Sequence, residues 1–489
     1  MVIDSTGEID VAFTSTCSQC YILKITFDRK FSKNSTMNSM PIERDIAEQS
    51  TSRVRREDVK RAHDRQHVQS HRAGGRWWML LWLLIGPGIL VMLGENDGPS
   101  MISYATTGAS YGIGFFLPFI VLTFAMAFVV QEMTVRLGAV TKRGHAELIA
   151  ERFGPFWGFF SMGDLIVGNL LTLVTEFIAV RAGLGFFGVP PALAVLGAFL
   201  LIVAIVATKR YWTWERIVLG FAVFNLLFVP VAILAHPVSG DVVRSFFTWS
   251  PIAGGVTVGF ILLIMSNIGA TVTPWMLFFQ QSAVVDKGLT PADIRHGRID
   301  TALGALLAAV AAIATVLATT PLFIHHVDAS NFQGADFAKA IVPYVGSVGA
   351  TLFALGLFEA GIVAAITISL SSAYAFGEVT GRPHSMNSSF RDGWPFYAVL
   401  LTAAGIAAVL VLIPNAPLVF ITIIVNVIAT LAMPPAIVFL LLLVNDREIM
   451  GEQANRGWSN FFGIAVTVFL VLAGILFGIA TVFPHLFPN

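Results

Sequence analysis

Residues 94–100 read GENDGPS, and they interrupt a long apolar segment near the start of the hydrophobic part of the chain. Residues 269–274 read GATVTP, and they interrupt a second apolar segment in the same manner. Proline removes a backbone donor and clashes with the preceding helical turn, while glycine weakens a helix further. Each stretch therefore predicts a helix that is broken in its middle.

The apolar segments around these breaks dominate the composition. Of 489 residues, 56% are hydrophobic and 12% are charged, about half the charged share of soluble domains. The net charge is zero, so the total suggests neither nucleic acid nor another strongly charged partner. The chain has only two cysteines, Cys17 and Cys20, which excludes a disulfide framework. A zinc site needs about four ligands, so a chance pair in the tail is favoured over a metal or redox site.

Eleven apolar segments follow one another, and each is long enough to cross about 30 Å of hydrocarbon. None has the alternating pattern of a membrane barrel. The sequence therefore predicts an all-α membrane protein of about eleven transmembrane helices. The predicted spans are 77–107, 113–135, 154–181, 190–208, 215–235, 255–281, 300–323, 347–376, 394–413, 417–444 and 461–483.

Basic residues set the expected orientation. Lys and Arg concentrate in alternate loops, which places the N-terminus in the cytoplasm of a multi-pass protein of the cell (inner) membrane. Residues 1–76 are polar and basic without a signal peptide, so we expect a cytoplasmic and largely disordered tail before the transmembrane domain 77–483. Residues 143–153 predict a short surface helix on the same side, with His145 as a solvated interface residue.

The two broken helices occupy matching positions, because spans 1 and 6 are each the first of a set of five spans. Interrupted helices at equivalent places in two halves are typical of transporters built from inverted repeats, with the substrate at the breaks. Here repeat one is about 77–235 and repeat two about 255–444, with an additional helix at about 461–483. No nucleophile with its base is evident, so an enzyme is not expected.

Asp97 is the residue that best indicates what the site binds. A carboxylate in the middle of a bilayer costs a few kcal/mol or more, and it persists when it is paired or functional. Together with free carbonyl groups at the ends of half-helices, it favours a cation. Glu95 and Asn96 are further candidates, although they could instead cap the half-helix or face a vestibule. Asp97 could also serve a purely structural polar network.

Several stretches together point to one family: residues 86–88, 97–100, 108–112, 131–133, 136–141, 269–274 and 445–451. They resemble the Nramp family of divalent-metal transporters, which have the LeuT-type fold. The resemblance covers residues 77–483. In the family's first-span motif, Asp-Pro-Gly-Asn, Asp97 matches and Ser100 stands where the Asn would be.

The sixth-span motif of the family, Ala-x-x-Met-Pro-His, is matched in part. Ala270, which would bind through its backbone carbonyl, and Pro274 agree with it. Thr273 replaces the Met, and Trp275 replaces the His.

Other family positions depart as well. Gln280 stands where a second family His would be, and Leu173 stands where span 3 of the family has an Asp. Glu176 matches the nearby family Glu, and Asn426 replaces a span 10 Gln.

These departures predict a change of substrate. A thioether favours transition metals, whereas the Thr273 hydroxyl is a hard ligand suited to Mg²⁺ and also to Mn²⁺. Loss of the titratable residues at positions 173, 275 and 280 removes most of the family's proton route. The pattern resembles the Nramp-related magnesium transporters, although Pro99 departs from their first-span motif.

We therefore expect a secondary transporter that imports Mg²⁺, and Mn²⁺, by alternating access without proton coupling. The expected donors are Asp97 and the Ala270 carbonyl, with Ser100, Thr273 and Asn426 holding the ion's waters. Glu95, Asn96, Gln280 and Glu176 are secondary candidates. No cofactor and no obligate protein partner are expected beside the transported ion and the lipid bilayer.

Two alternatives and two further residues remain open. One alternative is a proton-coupled Mn²⁺/Fe²⁺ transporter of the ordinary Nramp type, and the other is a LeuT-type symporter of an organic solute. Asp164 and Glu359 also fall within predicted spans. Each either lines the pathway or makes a hydrogen bond between helices.

Overall fold

The computed structural model describes residues 2–3, 9–10, 85–208, 210–249, 255–329, 332 and 335–487. The chain divides into two units, Met1–Arg56 and Glu57–Asn489. In the first unit, strands β1 (Val2–Ile3) and β2 (Ile9–Asp10) pair antiparallel. Apart from these four residues, the predicted tail 1–76, including Cys17 and Cys20, lies outside the described part of the chain.

The described part of the second unit contains eleven apolar spans, which confirms the expected all-α membrane architecture. Eight are long and apolar enough to cross a bilayer, including span 6 when its two half-helices are taken together; spans 4 and 9 are shorter, and span 1 is divided by its break. In the first repeat, span 1 is Pro87–Glu95 with Gly98–Tyr111, span 2 is Phe116–Thr141, span 3 is Pro155–Phe186 and span 4 is Pro191–Val206, and span 5 consists of Tyr211–Ala222, the 3₁₀ turn Val223–Leu227 and Phe228–Leu234. In the second repeat, span 6 is Val258–Gly269 with Pro274–Lys287, span 7 is Ile294–Ile324, span 8 is Val342–Thr380, span 9 is Trp394–Leu410 and span 10 is Leu418–Asn445. Span 11 is Gly457–Val482.

Short helices connect several spans. They are His145–Phe153, Ser239–Thr248, Asp336–Ala340 and Arg447–Met450, with 3₁₀ turns at Pro291–Asp293, Gly451–Gln453 and Pro484–Leu486.

Both predicted breaks are present. The first helix of span 1 ends at Glu95, and the second begins at Gly98, with Pro99 in its first turn. In span 6 the first helix ends at Gly269 and the second begins at Pro274. Proline suits the first turn of a helix because its missing N–H has no partner there in any case. The proline at each break therefore prevents the first half-helix from continuing and suits the first turn of the second.

Span 6 lies in the interior of the bundle and span 11 at its edge. In the most apolar 18-residue stretch of each span, 83% of the residues of span 6 are buried, compared with only 17% of those of span 11. Gly269 permits span 6 to contact span 10 closely, because a β-carbon there would overlap the Asn426 carbonyl oxygen. The second break thus lies where span 6 and span 10 approach each other closely.

The N-terminal end of span 1 is held by a carboxylate from span 7. Asp300 accepts hydrogen bonds from the amides of Gly86, Gly88 and Ile89 at 2.7–3.2 Å. Free amides at the start of a helix carry partial positive charge, so a carboxylate stabilises that end. The first half-helix is therefore fixed to span 7 where it begins.

A buried ion pair lies next to this cap. Lys287 Nζ is 2.8 Å from Glu215 Oε2, and it also donates to the Ile85 carbonyl at 2.7 Å. The two side chains are 0% and 2% exposed. This pair connects the end of span 6 with span 5 and the start of span 1.

The helix His145–Phe153 is present where a short surface helix was predicted, but His145 is not solvated. His145 is fully buried, and its Nδ1 lies 2.9 Å from Gln281 Oε1 of span 6. Burial lowers the pKa of the His145 imidazole to about 4, and the hydrogen bond with Gln281 opposes part of that shift. The sequence interpretation was wrong here because one face of this helix, with Leu148 and Ile149, packs inward.

Candidate metal centre

Asp97 begins the second half-helix of span 1. Its backbone is extended, and Oδ1 accepts hydrogen bonds from the Ser100 amide at 2.9 Å and the Ser100 hydroxyl at 2.5 Å. Aspartate is a strong N-cap because its short side chain reaches the free amides of the first turn. The residue is 2% exposed. The structure therefore brings Asp97 and Ser100 together as one unit.

Glu176 of span 3 contacts the same break from the other side. Its Oε2 accepts a hydrogen bond from the Gly98 amide at 2.9 Å, and the residue is fully buried. A β-carbon at position 98 would overlap Ala179, so glycine is what lets span 3 approach the break. The Glu176 and Asp97 carboxyl groups are near enough to interact electrostatically.

The break in span 6 supplies a hydroxyl and a carbonyl. The Thr273 hydroxyl donates to Glu95 Oε1 at 2.5 Å, and Glu95 Oε2 has no hydrogen-bond partner. The Ala270 carbonyl accepts from the Tyr104 hydroxyl at 3.1 Å. Because a carbonyl oxygen has two lone pairs, one acceptor position on Ala270 is still unused by this bond.

Three carboxyl groups are thus gathered at the two breaks. Glu95, Asp97 and Glu176 are each at most 2% exposed, and none forms an ion pair with a described basic residue. They do not form a closed cage, since the described residues contain no group of three His, Cys, Asp or Glu side chains arranged to hold one metal ion. The oxygen donors of carboxylates, hydroxyls and a carbonyl suit a hard, partly hydrated cation. A thioether is also near the second break, where the Met276 sulfur accepts from the Thr273 amide at 3.4 Å.

Asn426 lies on span 10 beside the second break. The residue is 2% exposed, and its side-chain Nδ2 has no hydrogen-bond partner in the described part of the chain. Its backbone carbonyl faces Gly269. A buried amide without a partner is uncommon, because an unmade hydrogen bond costs about 1–3 kcal/mol.

Two other candidates from the sequence are directed elsewhere. Asn96 Nδ2 donates to Asn225 Oδ1 at 2.9 Å and to the Ala308 carbonyl at 2.8 Å, so it joins span 1 to spans 5 and 7. Gln280 Nε2 donates to the Thr301 hydroxyl of span 7 at 3.1 Å. The structure does not bring these two side chains to the Asp97 carboxylate.

Three residues at or near the breaks were not anticipated. Tyr104 could have been found from its place one helical turn beyond Ser100, on the same side of the half-helix. Asn225 donates a hydrogen bond to the Asn96 carbonyl at 3.1 Å. The one indication of its role in the sequence was that a polar residue stood inside an apolar span. Asp300, the cap on span 1, stood at the predicted start of span 7 without a partner that the sequence could identify.

Hydrogen bonds connect span 6 to its neighbours on either side of the centre. Towards the Lys287 end of span 6, Ser282 donates to Glu378 at 2.5 Å, and Asp286 accepts from Tyr374 at 2.7 Å, both on span 8. Towards the other end, Thr430 of span 10 donates to the Met265 carbonyl at 2.8 Å.

Known proteins resemble this chain over most of its length. A divalent metal cation transporter, MntH, of Xanthomonas campestris is 25% identical over 428 residues, which cover 82% of this chain and 91% of that protein. The MntH transporter of Bradyrhizobium diazoefficiens is 27% identical over 407 residues, covering 78% and 85%.

Two solved structures share the fold. The manganese transporter of Eremococcus coleocola, crystallised with an aromatic bis-isothiourea compound, matches with a TM-score of 0.66 at 20% identity, covering 82% of this chain and 87% of that one. MhsT in complex with L-phenylalanine matches with a TM-score of 0.54 at 15% identity, covering 81% and 98%. These likenesses confirm the LeuT-type fold.

The family model described as natural resistance-associated macrophage protein-like matches residues 88–480, which include both breaks and all eleven spans except their outermost ends. Its members are transporters and not enzymes. The chain belongs to the Nramp family.

Proposed function

We propose that this protein is a divalent-cation transporter that moves Mg²⁺, and also Mn²⁺, by alternating access without coupling to protons. The curated relatives named above are divalent metal cation transporters, and one structural relative is a manganese transporter. The cation is the substrate, so no resident cofactor is part of the proposal.

The observation that carries the proposal is the group of buried carboxyls at the breaks. Glu95, Asp97 and Glu176 have no described basic partner, although an uncompensated buried charge costs several kcal/mol. A divalent cation would supply the missing positive charge. The Asp97 carboxylate and the Ala270 carbonyl are the direct donors in this proposal, and hydroxyls and Asn426 hold the ion's waters.

The preference for Mg²⁺ rests on Thr273. Where Nramp transporters place a methionine, this chain has a hydroxyl that is already hydrogen-bonded to Glu95. Position 273 itself therefore supplies no thioether, and the nearby Met276 sulfur already accepts a hydrogen bond from the Thr273 amide at 3.4 Å. The donors that we propose for the ion are hard oxygen atoms. Such donors suit Mg²⁺, which also keeps several of its waters.

Absence of proton coupling is proposed from positions 173, 275 and 280. Leu173 and Trp275 do not titrate, and Gln280 is engaged with Thr301 of span 7. The family residues that they replace are an Asp and two His, the usual groups for moving protons near neutral pH.

The fold suggests how access alternates. Span 1 and span 7 are joined by the Asp300 cap, so they move together, while spans 3 and 8 form the surface against which they move. Opening towards the Lys287 end requires the contacts of Glu378 and Tyr374 with span 6 to separate. The positive-inside bias supports a cytoplasmic location for this end, and we propose that the protein lies in the cell (inner) membrane with its N-terminus inside.

The closest rival is a proton-coupled Mn²⁺/Fe²⁺ transporter. The names of the relatives favour it, and three adjacent carboxyl groups could exchange protons. An organic-solute symporter shares the fold, but it has no need of three carboxyl groups without basic partners.

The test uses proteoliposomes that hold a Mg²⁺ dye and a pH dye. We expect Mg²⁺ uptake without acidification, and we expect Asp97→Asn to abolish it. Asparagine is as good an N-cap as aspartate, so this change removes the charge while keeping the helix start. Undiminished Mg²⁺ uptake by Asp97→Asn would falsify the site, and Mn²⁺ uptake with acidification but no Mg²⁺ signal would support the rival.

A further inference from the structure

Span 8 carries a buried carboxyl group that is not part of the metal centre. Glu359 is 3% exposed, and at 1.5 Å per residue it stands about 25 Å or more from either end of its helix. Asp164, whose role the sequence had also left open, is instead exposed. An ionisable side chain held inside the membrane-spanning part of a protein is costly, so Glu359 is the one of the two that needs an explanation.

The Glu359 carboxyl group has no hydrogen-bond partner among the described residues. Both of its oxygen atoms are buried and unbonded, and no described basic side chain pairs with it. The side chain of Asn225, in the 3₁₀ turn of span 5, lies near enough to interact with it, yet the two form no hydrogen bond of normal geometry. This arrangement is unusual, because polar groups that are buried together normally bond directly.

Asn225 connects Glu359 to the first break. It donates to the Asn96 carbonyl at 3.1 Å, and its Oδ1 accepts from Asn96 Nδ2 at 2.9 Å. An amide oxygen has two lone pairs, so Asn225 Oδ1 keeps one that this bond does not use. Asn96 stands between Glu95 and Asp97 in the chain. Only two amide side chains therefore separate the Glu359 carboxyl group from the residues of the metal centre.

Oxygen atoms that lie near one another without a hydrogen bond suit a metal cation better than a proton. The ligands of one cation surround it, whereas a shared proton draws its donor and acceptor together. A protonated Glu359 would have a single hydrogen to give, and its second oxygen would still be unpaired. A hard cation, by contrast, can contact both carboxyl oxygens and the free lone pair of Asn225 Oδ1 together.

The charge of the group favours a monovalent ion. One carboxylate among neutral amide oxygens balances one positive charge, whereas the breaks gather three carboxyl groups. A divalent ion at Glu359 would leave one positive charge uncompensated, and such a charge is costly when it is buried. Among hard monovalent cations, Na⁺ is smaller than K⁺ and needs fewer oxygen ligands, so it fits a site with few donors.

We propose that Glu359 and Asn225 form a Na⁺ site between spans 8 and 5, and that Na⁺ bound there strengthens binding of the transported divalent cation. Because Asn225 holds the Asn96 carbonyl, an ion on Asn225 stabilises the backbone of the first break. By thermodynamic linkage, Mg²⁺ must then strengthen Na⁺ binding by the same factor. The effect on the divalent cation rests on the proposed function, whereas the Na⁺ site itself does not.

The first test measures Na⁺ binding without transport. The full-length parent protein is melted in detergent in sodium chloride and in choline chloride at equal concentration, with no divalent ion present. We expect Na⁺ to raise the melting temperature, because a ligand of the folded state stabilises that state. Glu359→Gln keeps the shape of the side chain without its charge, so it should melt at the same temperature in both salts. Glu359→Asp keeps the charge and should respond at higher Na⁺ concentrations.

The second test measures the coupling in proteoliposomes. Replacing choline by Na⁺ should lower the half-saturating Mg²⁺ concentration of the parent about fivefold or more. Glu359→Gln should still carry Mg²⁺, with one half-saturating concentration in both salts. Asp164→Asn is the matched control, because it also removes one carboxylate from a span, but an exposed one, and it should respond to Na⁺ as the parent does.

The outcomes separate this proposal from the function on which part of it rests. Equal melting temperatures of the parent in Na⁺ and choline overturn the site, and so does a Na⁺ response that Glu359→Gln retains, since the ion would then bind elsewhere. Uptake of Mg²⁺ that loses its pH dependence in Glu359→Gln, without any response to Na⁺, would assign the carboxyl group to a proton and likewise overturns it. If the parent neither binds nor carries Mg²⁺ or Mn²⁺, the proposed function fails, while the melting experiment still decides the Na⁺ site.

Discussion

The Thr273 hydroxyl lies 2.5 Å from the Glu95 carboxyl oxygen, and this one bond joins the break in span 6 to the break in span 1. The two residues are 178 positions apart in the chain and are at most 3% exposed. A change at position 273 therefore alters both the donors at the centre and the pairing of Glu95.

Replacing Thr273 should change how strongly other metal ions inhibit uptake of the transported cation. Thr273→Met restores the family's thioether, so we expect Cd²⁺ to inhibit uptake about tenfold more strongly than in the parent, since soft ligands bind soft metals. The control is Thr273→Val, which removes the hydroxyl without adding sulfur. Competition assays in proteoliposomes measure both, and equal Cd²⁺ sensitivity of the two variants would contradict the prediction.

Gly269 should be intolerant of even one added methyl group. Gly269→Ala places a β-carbon on the Asn426 carbonyl oxygen, so spans 6 and 10 must separate. Overpacking of this kind costs about 1–3 kcal/mol, and we expect a lower melting temperature in detergent. Gly259→Ala is the matched control, because its β-carbon would meet only atoms at 3.7 Å or more. A melting temperature shared by both variants would argue against close packing at the break.

Removing one partner of the buried Lys287–Glu215 pair should lower the stability of the protein more than removing both. Lys287→Met leaves a buried carboxylate uncompensated, and such a loss costs about 3–5 kcal/mol. Adding Glu215→Gln to the same chain removes that charge, so the double variant should recover part of the stability. Thermal unfolding of the three proteins provides the comparison, and a double variant less stable than Lys287→Met would show that the reasoning is wrong.

His145 should make the protein sensitive to acid. Above its ordinary pKa of 6.5 the imidazole is neutral in both states and adds no pH dependence. Between pH 6.5 and about 4, the unfolded chain binds a proton that the folded chain does not, so the free energy of unfolding falls as pH drops. The full loss is about 3 kcal/mol, from the difference between the two pKa values.

The variant His145→Asn isolates this effect. Asparagine does not titrate, and its side-chain nitrogen can donate to Gln281 in place of Nδ1. Melting temperatures of the variant should decline less than those of the parent between pH 6.5 and 4.5. Parallel curves would mean that another group causes the acid sensitivity.

The breaks and the spans could be predicted because they depend on local chemistry. Proline and glycine at 94–100 and 269–274 act on the helix that contains them, and apolar length decides whether a helix crosses the membrane. The direction of each side chain within a break could not be predicted. Asn96 and Asp97 lie between the two half-helices, where no helical period sets the direction of a side chain, so they face different neighbours although they are adjacent.

Partners distant in the chain were equally hidden. Nothing near Gln280 indicates Thr301, and nothing near Gly86 indicates Asp300. His145 was misjudged because a short helix with alternating polar and apolar residues does not reveal how deeply it packs. Burial of this kind depends on span 6, which the local sequence does not contain.

The Asp300 cap and the Asn96 contacts have a consequence for how the protein is made. Span 1 is synthesised first, yet its partners at Asn225, Asp300 and Ala308 follow 129 to 214 residues later. At about 5–20 residues per second, the interval is roughly six to forty-three seconds. During that time the newly inserted helix carries Glu95, Asn96 and Asp97 into the membrane without the groups that receive them, so biogenesis must shelter this span until the second half of the chain emerges.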